Sequence, residues 1–384
     1  MLKLNIGGGS VELPGYENVD RKNGREAFPL AGVENESVDE VRASHVLEHF
    51  GHQHIRPVLM EWVRVLKPGG VLKLAVPDFQ KIAAMYQQPG EYPVQAYVMG
   101  GQVDEDDFHR TIFDRDTLYG AMDAVGLIDI QAWKSEAADC ASLPVSLNLQ
   151  GVKPLPFSGK VEAVMSVPRL GFMDNFTCWI DALAPLGIKP TTVTGAYWGQ
   201  CLERAMEQVL PQCDWILAID YDSFFTLTDI KHLLLLAANH PECDAIAPLQ
   251  MKRGTDTVPL MTRLNPDGSL MTRGLLSDFQ APLMQVNTSH FGCTLLKKSA
   301  LLKMEHPWFK GEPNKEGTWG EGRIDDDIYF WQKWKAAGNT VYSANQVVIG
   351  HGEHTILWPD KMLRPTHQVP AEWRKNGQPA NCWR

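Results

Sequence analysis

A short apolar run that ends in two carboxylates constrains the fold of this chain more than any other feature. Residues 215–219 are all apolar, and Asp220 and Asp222 follow them at spacing i, i+2. Side chains two residues apart on extended backbone point to the same side. Ligands of open α/β sheets bind beyond the carboxyl ends of the strands. The stretch therefore predicts either a Mg²⁺ or Mn²⁺ site that carries a diphosphate, or a strand that ends in a solvated polar turn.

The segments before these carboxylates predict a doubly wound nucleotide-binding sheet. A strand is predicted over residues 161–167 and a helix over 175–186. A second strand is predicted near 189–194, and a helix follows over 198–210. This alternation of strand and helix is the front half of such a sheet.

Later segments add polar residues that the same sheet could bring together. Gly292 stands at the start of a predicted strand, where a glycine allows close approach to a ligand. Asp325–Asp327 begin a predicted helix, whose dipole favours acids at that end, so these aspartates could also be simple caps. His351 ends another strand and could be a third metal ligand or a structural histidine.

In this order, these segments resemble a GT-A fold glycosyltransferase over about residues 160–355. The string Trp-Gly-x-Gly-x-x-Asp-Asp-Asp from Trp319 is similar to the acceptor loop of β-1,4-galactosyltransferases. The resemblance implies that Mn²⁺ or Mg²⁺ is bound by Asp220, Asp222 and His351. It also implies acceptor-binding roles for Trp319 and Gly320.

The same resemblance implies a nucleotide-sugar site and a catalytic base. Residues implied to contact the nucleotide sugar are Pro168, Arg169, Gly195, Asp220 and Gly292. The base would be one of Asp325, Asp326 and Asp327, because an acceptor hydroxyl needs a carboxylate to take its proton. The galactosyltransferase-like alignment favours Asp325, the spacing of other GT-A enzymes favours Asp326 and Asp327, and both alternatives remain open, as do inverting and retaining mechanisms.

The first part of the chain carries a second set of nucleotide-binding signals. A predicted strand over residues 2–6 runs into Gly7, Gly8 and Gly9, where backbone N–H groups can approach a ligand closely. A second short strand ends at Asp20, where an acid can accept hydrogen bonds from ribose hydroxyls.

Five strings in this part resemble a small class I S-adenosylmethionine-dependent methyltransferase domain over about residues 1–135. They are Leu-Asn-Ile-Gly-Gly-Gly, Asn-Val-Asp, His-Val-Leu-Glu-His, Leu-Lys-Pro-Gly-Gly-Val-Leu and Pro-Asp-Phe. The resemblance implies that Gly7 and Gly9 line the cofactor and that Asp20 binds its ribose. Asn5 replaces the acid that many relatives carry, so an active methylase and an inactive scaffold both remain open.

Histidines cluster within the third of these strings and just after it. His45 and His49 would share one face if the segment were helical. The His-x-x-Glu-His order lacks the His-Glu-x-x-His spacing of zinc proteases. The sequence therefore favours a structural role for these histidines over a metal site.

Segments rich in proline, serine and glycine predict the domain boundaries, and the two resemblances imply what each domain is. We predict a methyltransferase-like domain over 1–138, a linker over 139–159, a GT-A domain over 160–357 and a basic, Trp-rich tail over 358–384. The fold class is thus α/β, with a Rossmann-like sheet followed by a nucleotide-sugar-binding domain. The seven scattered cysteines lack Cys-x-x-Cys spacing, and we expect reduced thiols, no transmembrane segment and a cytoplasmic location.

The predicted function is transfer of a sugar from a nucleotide sugar to a hydroxyl acceptor. The acceptor would be a saccharide, a glycolipid or a polysaccharide precursor. A hydroxymethylated DNA base is a minor alternative, which the basic tail supports and the acidic first half opposes. Two further alternatives are a bifunctional enzyme that also methylates the sugar, and a non-catalytic carbohydrate- or nucleotide-binding protein.

Overall fold

Two units, each built on its own β-sheet, make up the chain in the computed structural model. The first unit spans Met1–Pro156 and the second spans Phe157–Arg384. The structure describes residues 1–87, 93–168, 171–253, 259–263, 276–360 and 362–382. Strands and helices occur in both units, which confirms the α/β class predicted from the sequence.

The first unit is organised by a mixed six-stranded sheet. Its strands are β1 (Lys3–Ile6), β2 (Glu17–Val19), β3 (Val38–Ser44), β4 (Leu66–Pro77), β5 (Ile128–Ala132) and β6 (Ser146–Val152). They lie in the order β2-β1-β3-β4-β6-β5. The strands β1 to β4 run parallel, whereas β6 is antiparallel to both β4 and β5. The carboxyl ends of β1 and β2 therefore meet at one edge of the sheet.

Amphipathic helices complete the first unit. They are α1 (Ile55–Val65), α2 (Phe79–Tyr86), α3 (Val94–Met99) and α4 (Arg115–Asp123), with 3₁₀ turns at 21–23, 47–49, 52–54 and 140–142. The buried face of α1 includes Val58, Leu59 and Trp62, which recur at helical spacing. These side chains join Leu4 and Ile6 of β1 in one apolar core.

The second unit contains a larger sheet and two small ones. Its strands are β7 (Val161–Val167), β8 (Thr191–Thr194), β9 (Trp215–Ile219), β10 (Ser223–Phe224), β11 (Ala245–Leu249), β12 (Leu283–Val286), β13 (Cys293–Lys297), β14 (Val341–Val348), β15 (Gly350–His351), β16 (Ile356–Pro359) and β17 (Pro365–Gln368). Its helices are α5 (Met173–Leu183), α6 (Trp198–Val209), α7 (Leu227–Asn239), α8 (Lys298–Leu301), α9 (Asp326–Ala336) and α10 (Pro370–Asn376), with 3₁₀ turns at 184–186, 210–212 and 276–280.

The large sheet of the second unit has the strand order β12-β14-β11-β13-β9-β7-β8. The neighbours β8, β7 and β9 run parallel, and β11 runs parallel to β14. The strand β13 lies between β9 and β11 and is antiparallel to both. The predicted order of strand, helix, strand, helix and strand before Asp220 is confirmed by β7, α5, β8, α6 and β9.

Part of the segment predicted to be a linker is a strand of the first sheet. The sequence predicts a linker over 139–159, but β6 pairs with β4 from Pro77 opposite Ser146 to Val71 opposite Val152. Leu147 and Leu149 are buried and alternate with half-buried polar residues, the period expected of a strand. The strand was predicted to be part of a linker because its alternation is short and prolines and serines, which are typical of loops, flank it on both sides. The first unit therefore continues past residue 138 to Pro156.

The tail predicted over 358–384 folds within the second unit, as far as residues 358–360 and 362–382 show. The strands β16 and β17 form an antiparallel hairpin, and α10 follows it. Trp358 Nε1 donates to Gln368 Oε1 at 2.9 Å, and Arg364 pairs with Asp360 at 3.1 Å.

The seven cysteines are free thiols. Across the described ranges, each helix is too short or too polar to cross a bilayer.

Candidate functional site

A two-residue strand pairing brings His351 to the carboxylates that follow β9. All residues of β9 are buried, and Asp220 and Asp222 come directly after it. The strand β10 then pairs antiparallel with β15, which places Ser223 opposite His351. As a result, His351 Nε2 lies 3.5 Å from Asp222 Oδ2. The predicted metal ligands Asp222 and His351 are therefore neighbours in space.

The hydrogen bonding of His351 leaves one ring nitrogen facing Asp222. Its Nδ1 lies 2.9 Å from the Met251 carbonyl oxygen. Because a carbonyl only accepts, Nδ1 carries the proton of the neutral ring and Nε2 keeps a lone pair. Burial alone would lower the His351 pKa, but the hydrogen bond with Asp222 raises it above its ordinary value. A metal ion at Nε2 would replace the proton that this arrangement favours.

Asp222 is the more deeply buried of the two carboxylates. Its residue is 2% exposed, and Arg253 Nη1 lies 2.9 Å from its Oδ2. A buried carboxylate is costly unless a cation or hydrogen bonds compensate it. Arg253 therefore supplies the positive charge that Asp222 needs in this structure. The sequence did not identify Arg253, which follows β11 in no recognisable motif.

Asp220 is held at the same edge by different contacts. Trp198 Nε1 donates to Asp220 Oδ1 at 3.0 Å, and the Asp220 N–H donates to the Gly292 carbonyl at 3.2 Å. Burial, and then the charge of Asp222, raise the pKa of Asp220 to about 6. A divalent cation would relieve both effects, since it compensates the buried charge and separates the two carboxylates.

Gln250 is a second residue that the sequence did not reveal. Its residue is 2% exposed, and its Nε2 donates to Ser223 Oγ and to the Gly350 carbonyl, each at 3.0 Å. It thus cross-links the strand after Asp222 to the strand that carries His351.

A methyl group added to Gly292 would collide with Ser223 Oγ and Gln250 Oε1, which explains why a glycine stands there. Gly292 supports the carboxylate turn and does not line the cleft described below.

The three predicted aspartates stand at the start of α9 but have different surroundings. Asp325 is 57% exposed at its side chain, and Arg323 binds it through Nε at 2.8 Å and Nη2 at 3.2 Å. Asp326 packs so closely against Gly199 and Gly311 that an added methyl group at either would touch its carboxylate. The pKa of Asp327 is raised, chiefly by burial.

A cleft of about 630 Å³ brings most of the predicted residues of the second unit together. The residues singled out from the sequence that line it are Pro168, Gly195, Asp220, Asp222, Asp325, Asp326, Asp327 and His351. Ser166, Trp198, Gln250 and Arg253 also line it and were not predicted. Arg169 lies outside the described residues. This volume is typical of small-molecule sites.

A second cleft, of about 1010 Å³, shares Asp325 and Asp326 with the first. Trp319 lines it, and this residue is 63% exposed. Gly320 lines neither cleft. Tyr197 and Arg204 add an aromatic ring and a cation that sequence reasoning did not place there. The two aspartates therefore stand between two cavities, one of which contains the carboxylate pair.

A separate cleft of about 490 Å³ lies in the first unit. Gly7 and Asp20 line it, whereas Gly9 does not line it and donates its N–H to Asp20 Oδ2 at 2.8 Å. Asp20 Oδ1 accepts from the Lys22 N–H at 3.0 Å. Gly7 has a φ of +64°, and a side chain there would collide with Val46. The backbone conformation at Gly7 is thus restricted to glycine, and the Asp20 carboxylate is fixed in orientation.

Comparisons with known proteins give a family match to part of the first unit and weak similarities to solved structures. Residues 22–74 match the family model described as "Methyltransferase domain", which covers β3, α1 and most of β4. A search of curated proteins finds no match. The match identifies a methyltransferase-like segment in the first unit but leaves Gly7, Gly9 and Asp20 outside it.

Several solved structures are weakly similar to the chain. A197 from STIV is 16% identical, with a TM-score of 0.32, over 54% of this chain and 94% of that one. A SAM-dependent methyltransferase from Archaeoglobus fulgidus is 14% identical, with a TM-score of 0.27, over 40% and 86%. Phosphoethanolamine N-methyltransferase 2 of Haemonchus contortus, in complex with S-adenosyl-L-methionine, is 13% identical, with a TM-score of 0.27, over 41% and 49%. None of these similarities assigns a function to this chain.

Proposed function

We propose that the first unit binds S-adenosylmethionine and transfers its methyl group. The observation that carries the proposal is the Asp20 carboxylate, which Gly9 and Lys22 hold at the carboxyl end of β2 beside a cleft. The match of residues 22–74 to a methyltransferase family model supports the same function.

The residues around this cleft fit the cofactor. Its volume of about 490 Å³ lies within the range of small-molecule sites. Asp20 would accept hydrogen bonds from the ribose hydroxyls, and the glycine backbone at Gly7 would allow close approach. The bound cofactor would supply a methyl group on a sulfonium centre. Isothermal titration of the full chain with S-adenosylmethionine tests the proposal, and a titration without binding would contradict it.

A second activity, glycosyl transfer, is favoured by the cleft that Asp220, Asp222 and His351 line together in the second unit, where Asp222 Oδ2 lies 3.5 Å from His351 Nε2. Two carboxylates and an imidazole with a free lone pair form a ligand set that suits Mn²⁺. A metal site therefore explains these residues better than a purely structural turn does. A metal held there would neutralise the charge that develops on a leaving nucleoside diphosphate. Two transferase units in one chain would form a bifunctional enzyme, in which the sugar or its product accepts the methyl group.

The chain's own residues account for the rest of this reaction. The acceptor oxygen forms a bond to C1 of the sugar while the bond from C1 to the diphosphate oxygen breaks. The hydroxyl proton passes to a carboxylate. Asp326 fits that role best, because it borders both clefts and Arg323 does not occupy it. Asp325 is bound by Arg323, and Asp327 lines only the cleft with the carboxylate pair.

Asp326→Asn should lower sugar transfer about 100-fold, the lower end of the range for a general base. The amide is nearly isosteric with the carboxylate, so the packing against Gly199 and Gly311 is retained. Transfer is measured with a panel of nucleotide sugars, Mn²⁺ and saccharide acceptors. Asp325→Asn is the matched variant, for which we expect a loss of less than about 10-fold. A larger loss in Asp325→Asn than in Asp326→Asn would assign the base to Asp325 and contradict this assignment.

Mn²⁺ binding to the second unit should weaken as the pH falls through 6. Asp220 has its pKa raised to about 6, so below that pH it is neutral and a weak ligand. Protons then compete with the metal, and the affinity should fall about tenfold per pH unit. Titrations with Mn²⁺ between pH 5 and pH 8 would show the inflection. The Asp220→Asn chain, which lacks this carboxyl group, should bind Mn²⁺ more weakly and should depend on pH less steeply below pH 6, because only protonation of His351 then competes with the metal.

A further inference from the structure

A buried carboxylate without hydrogen bonds lies in the first unit, apart from Asp20. Glu48 is 1% exposed, and neither of its carboxylate oxygens has a hydrogen-bond partner among the described residues. A buried carboxyl group without hydrogen bonds is costly, and a bound cation is one way to relieve that cost.

Three histidine rings surround this carboxylate. Ligand atoms of Glu48, His49 and His109 all lie within 4.8 Å of one another. The rings of His49 and His109 meet edge to face, with centroids 4.9 Å apart. His45 Nδ1 lies 3.4 Å from Glu48 Oε1, and His109 Nε2 lies 3.9 Å from the same oxygen. The sequence could not show this arrangement, because His109 lies far from Glu48 along the chain.

The outer hydrogen bond of His109 fixes which of its nitrogens faces Glu48. His109 Nδ1 lies 3.1 Å from the Tyr97 carbonyl oxygen. Since the carbonyl only accepts, Nδ1 carries the proton of the neutral ring, and Nε2 turns a lone pair toward Glu48. A histidine that gives its second N–H to a backbone carbonyl is typical of metal ligands.

His45 is oriented in the same way through a chain of hydrogen bonds. Its Nε2 lies 3.0 Å from Ser146 Oγ, and that hydroxyl donates to Asn148 Oδ1 at 2.7 Å. Because the hydroxyl has used its only proton, it accepts from His45 Nε2–H. His45 Nδ1 is therefore a lone pair that faces Glu48.

At the centre of this cluster, the oxygens of Glu48 thus face lone pairs of His45 and His109, so that hydrogen-bond acceptors lie opposite one another. One proton on Glu48 could satisfy only one of the facing nitrogens. His49 Nδ1 also lacks a hydrogen-bond partner among the described residues. A metal ion can accept several lone pairs at once, and two imidazoles with one carboxylate are the ligand sets of known zinc and iron sites.

We propose that Glu48, His49 and His109 bind a divalent first-row transition metal such as Zn²⁺ or Fe²⁺, with His45 beside the same carboxylate. Tetrahedral coordination at metal–nitrogen distances near 2.0 Å places ligand atoms about 3.3 Å apart. The distance of 3.9 Å between His109 Nε2 and Glu48 Oε1 therefore has to shorten by about 0.6 Å, and the other distances, each at most 4.8 Å, by up to about 1.5 Å. His45 and His49 line the open cleft of the first unit, which gives the ion an entry path.

The position of this site indicates a structural role. The Glu48 carbonyl already accepts the N–H groups of Arg110 and Thr111, at 2.7 and 3.1 Å. Residues on both sides of this link, including Phe50 and Asp107, line the same cleft. A metal bound by Glu48, His49 and His109 would hold together the segment that contains Glu48 and the segment that contains His109. This inference goes beyond the proposed activities and does not depend on either of them.

Equilibrium dialysis of the full chain against Zn²⁺ tests the proposal. We expect the wild-type chain to bind one Zn²⁺ more than the His109→Ala and Glu48→Gln chains do. His52→Ala removes an exposed histidine near the cluster and should leave the count unchanged. Zn²⁺ should also raise the unfolding temperature of the wild type more than that of either cluster variant.

Two different cluster variants are used so that the test does not depend on the folding of either one alone. Glu48→Gln is isosteric and removes only the charge, so the unfolding transition measured without metal should remain. If Glu48 were simply protonated, the glutamine variant would bind as many Zn²⁺ ions as the wild type. Equal counts in the wild type and in whichever variant folds, including counts of zero, would overturn the proposal.

Discussion

Asp222→Asn is expected to lower the Mn²⁺-dependent release of nucleoside diphosphate from a nucleotide sugar on the order of 10³-fold. The amide keeps the shape of the side chain and can still accept a hydrogen bond from Arg253. It loses the negative charge that lies 3.5 Å from His351 Nε2 and that a metal ion needs. The loss should appear both in metal affinity and in turnover, because the leaving diphosphate would no longer be neutralised.

The matched control for this prediction is Asp181→Asn, which removes an exposed aspartate from α5 in the same unit. Its turnover should equal that of the wild type. Turnover that survives in Asp222→Asn would refute the metal-dependent mechanism. Binding of Mn²⁺ and nucleotide by the wild type without any turnover would instead support the non-catalytic binding alternative.

Asp20→Ala should weaken S-adenosylmethionine binding about 100-fold. A hydrogen bond to a charged acceptor contributes about 1.5 to 3 kcal/mol, which corresponds to this factor at its upper end. The alanine also removes the acceptor for the Gly9 N–H, which lies 2.8 Å from the carboxylate. Isothermal titration of the full chain measures the change. Asp20→Asn keeps one side-chain acceptor and should lose less affinity than the alanine.

Asp123→Ala, an exposed change in α4, serves as the control and should bind the cofactor as the wild type does. If Asp20→Ala bound with unchanged affinity, the cofactor would not lie against β2 and the proposed site would be wrong. A failure of this prediction would not contradict the site proposed in the second unit, because the two candidate sites share no residue.

Local patterns in the sequence predicted the parts of the fold whose causes are local. The apolar run before Asp220 and the glycines after β1 identified strand ends, and strand ends in parallel sheets are where ligands bind. His351 followed from the same rule, since it ends a strand. The position of these strand ends could therefore be predicted without knowing the order of the strands in either sheet.

Contacts between distant residues could not be predicted in this way. Arg253 and Gln250 reach the carboxylate site because β11 lies beside β13 and β14, an arrangement that no spacing encodes. His109 reaches Glu48 through backbone contacts of Arg110 and Thr111. The strand β6 was missed because its alternation is short and lies among residues typical of loops. In each case the deciding interaction joins segments that the sequence separates.

The ion pair between Arg253 and Asp222 has a thermodynamic consequence for ligand binding. A cation that enters beside Asp222 has to compete with a guanidinium 2.9 Å from the carboxylate oxygen. A diphosphate that arrives with the cation offers the displaced guanidinium new anionic oxygens, to which arginine binds well. Cation and nucleotide should therefore each raise the affinity for the other, and by the same factor. Arg253 would make the free cation a weak ligand of this unit and the nucleotide-bound cation a strong one.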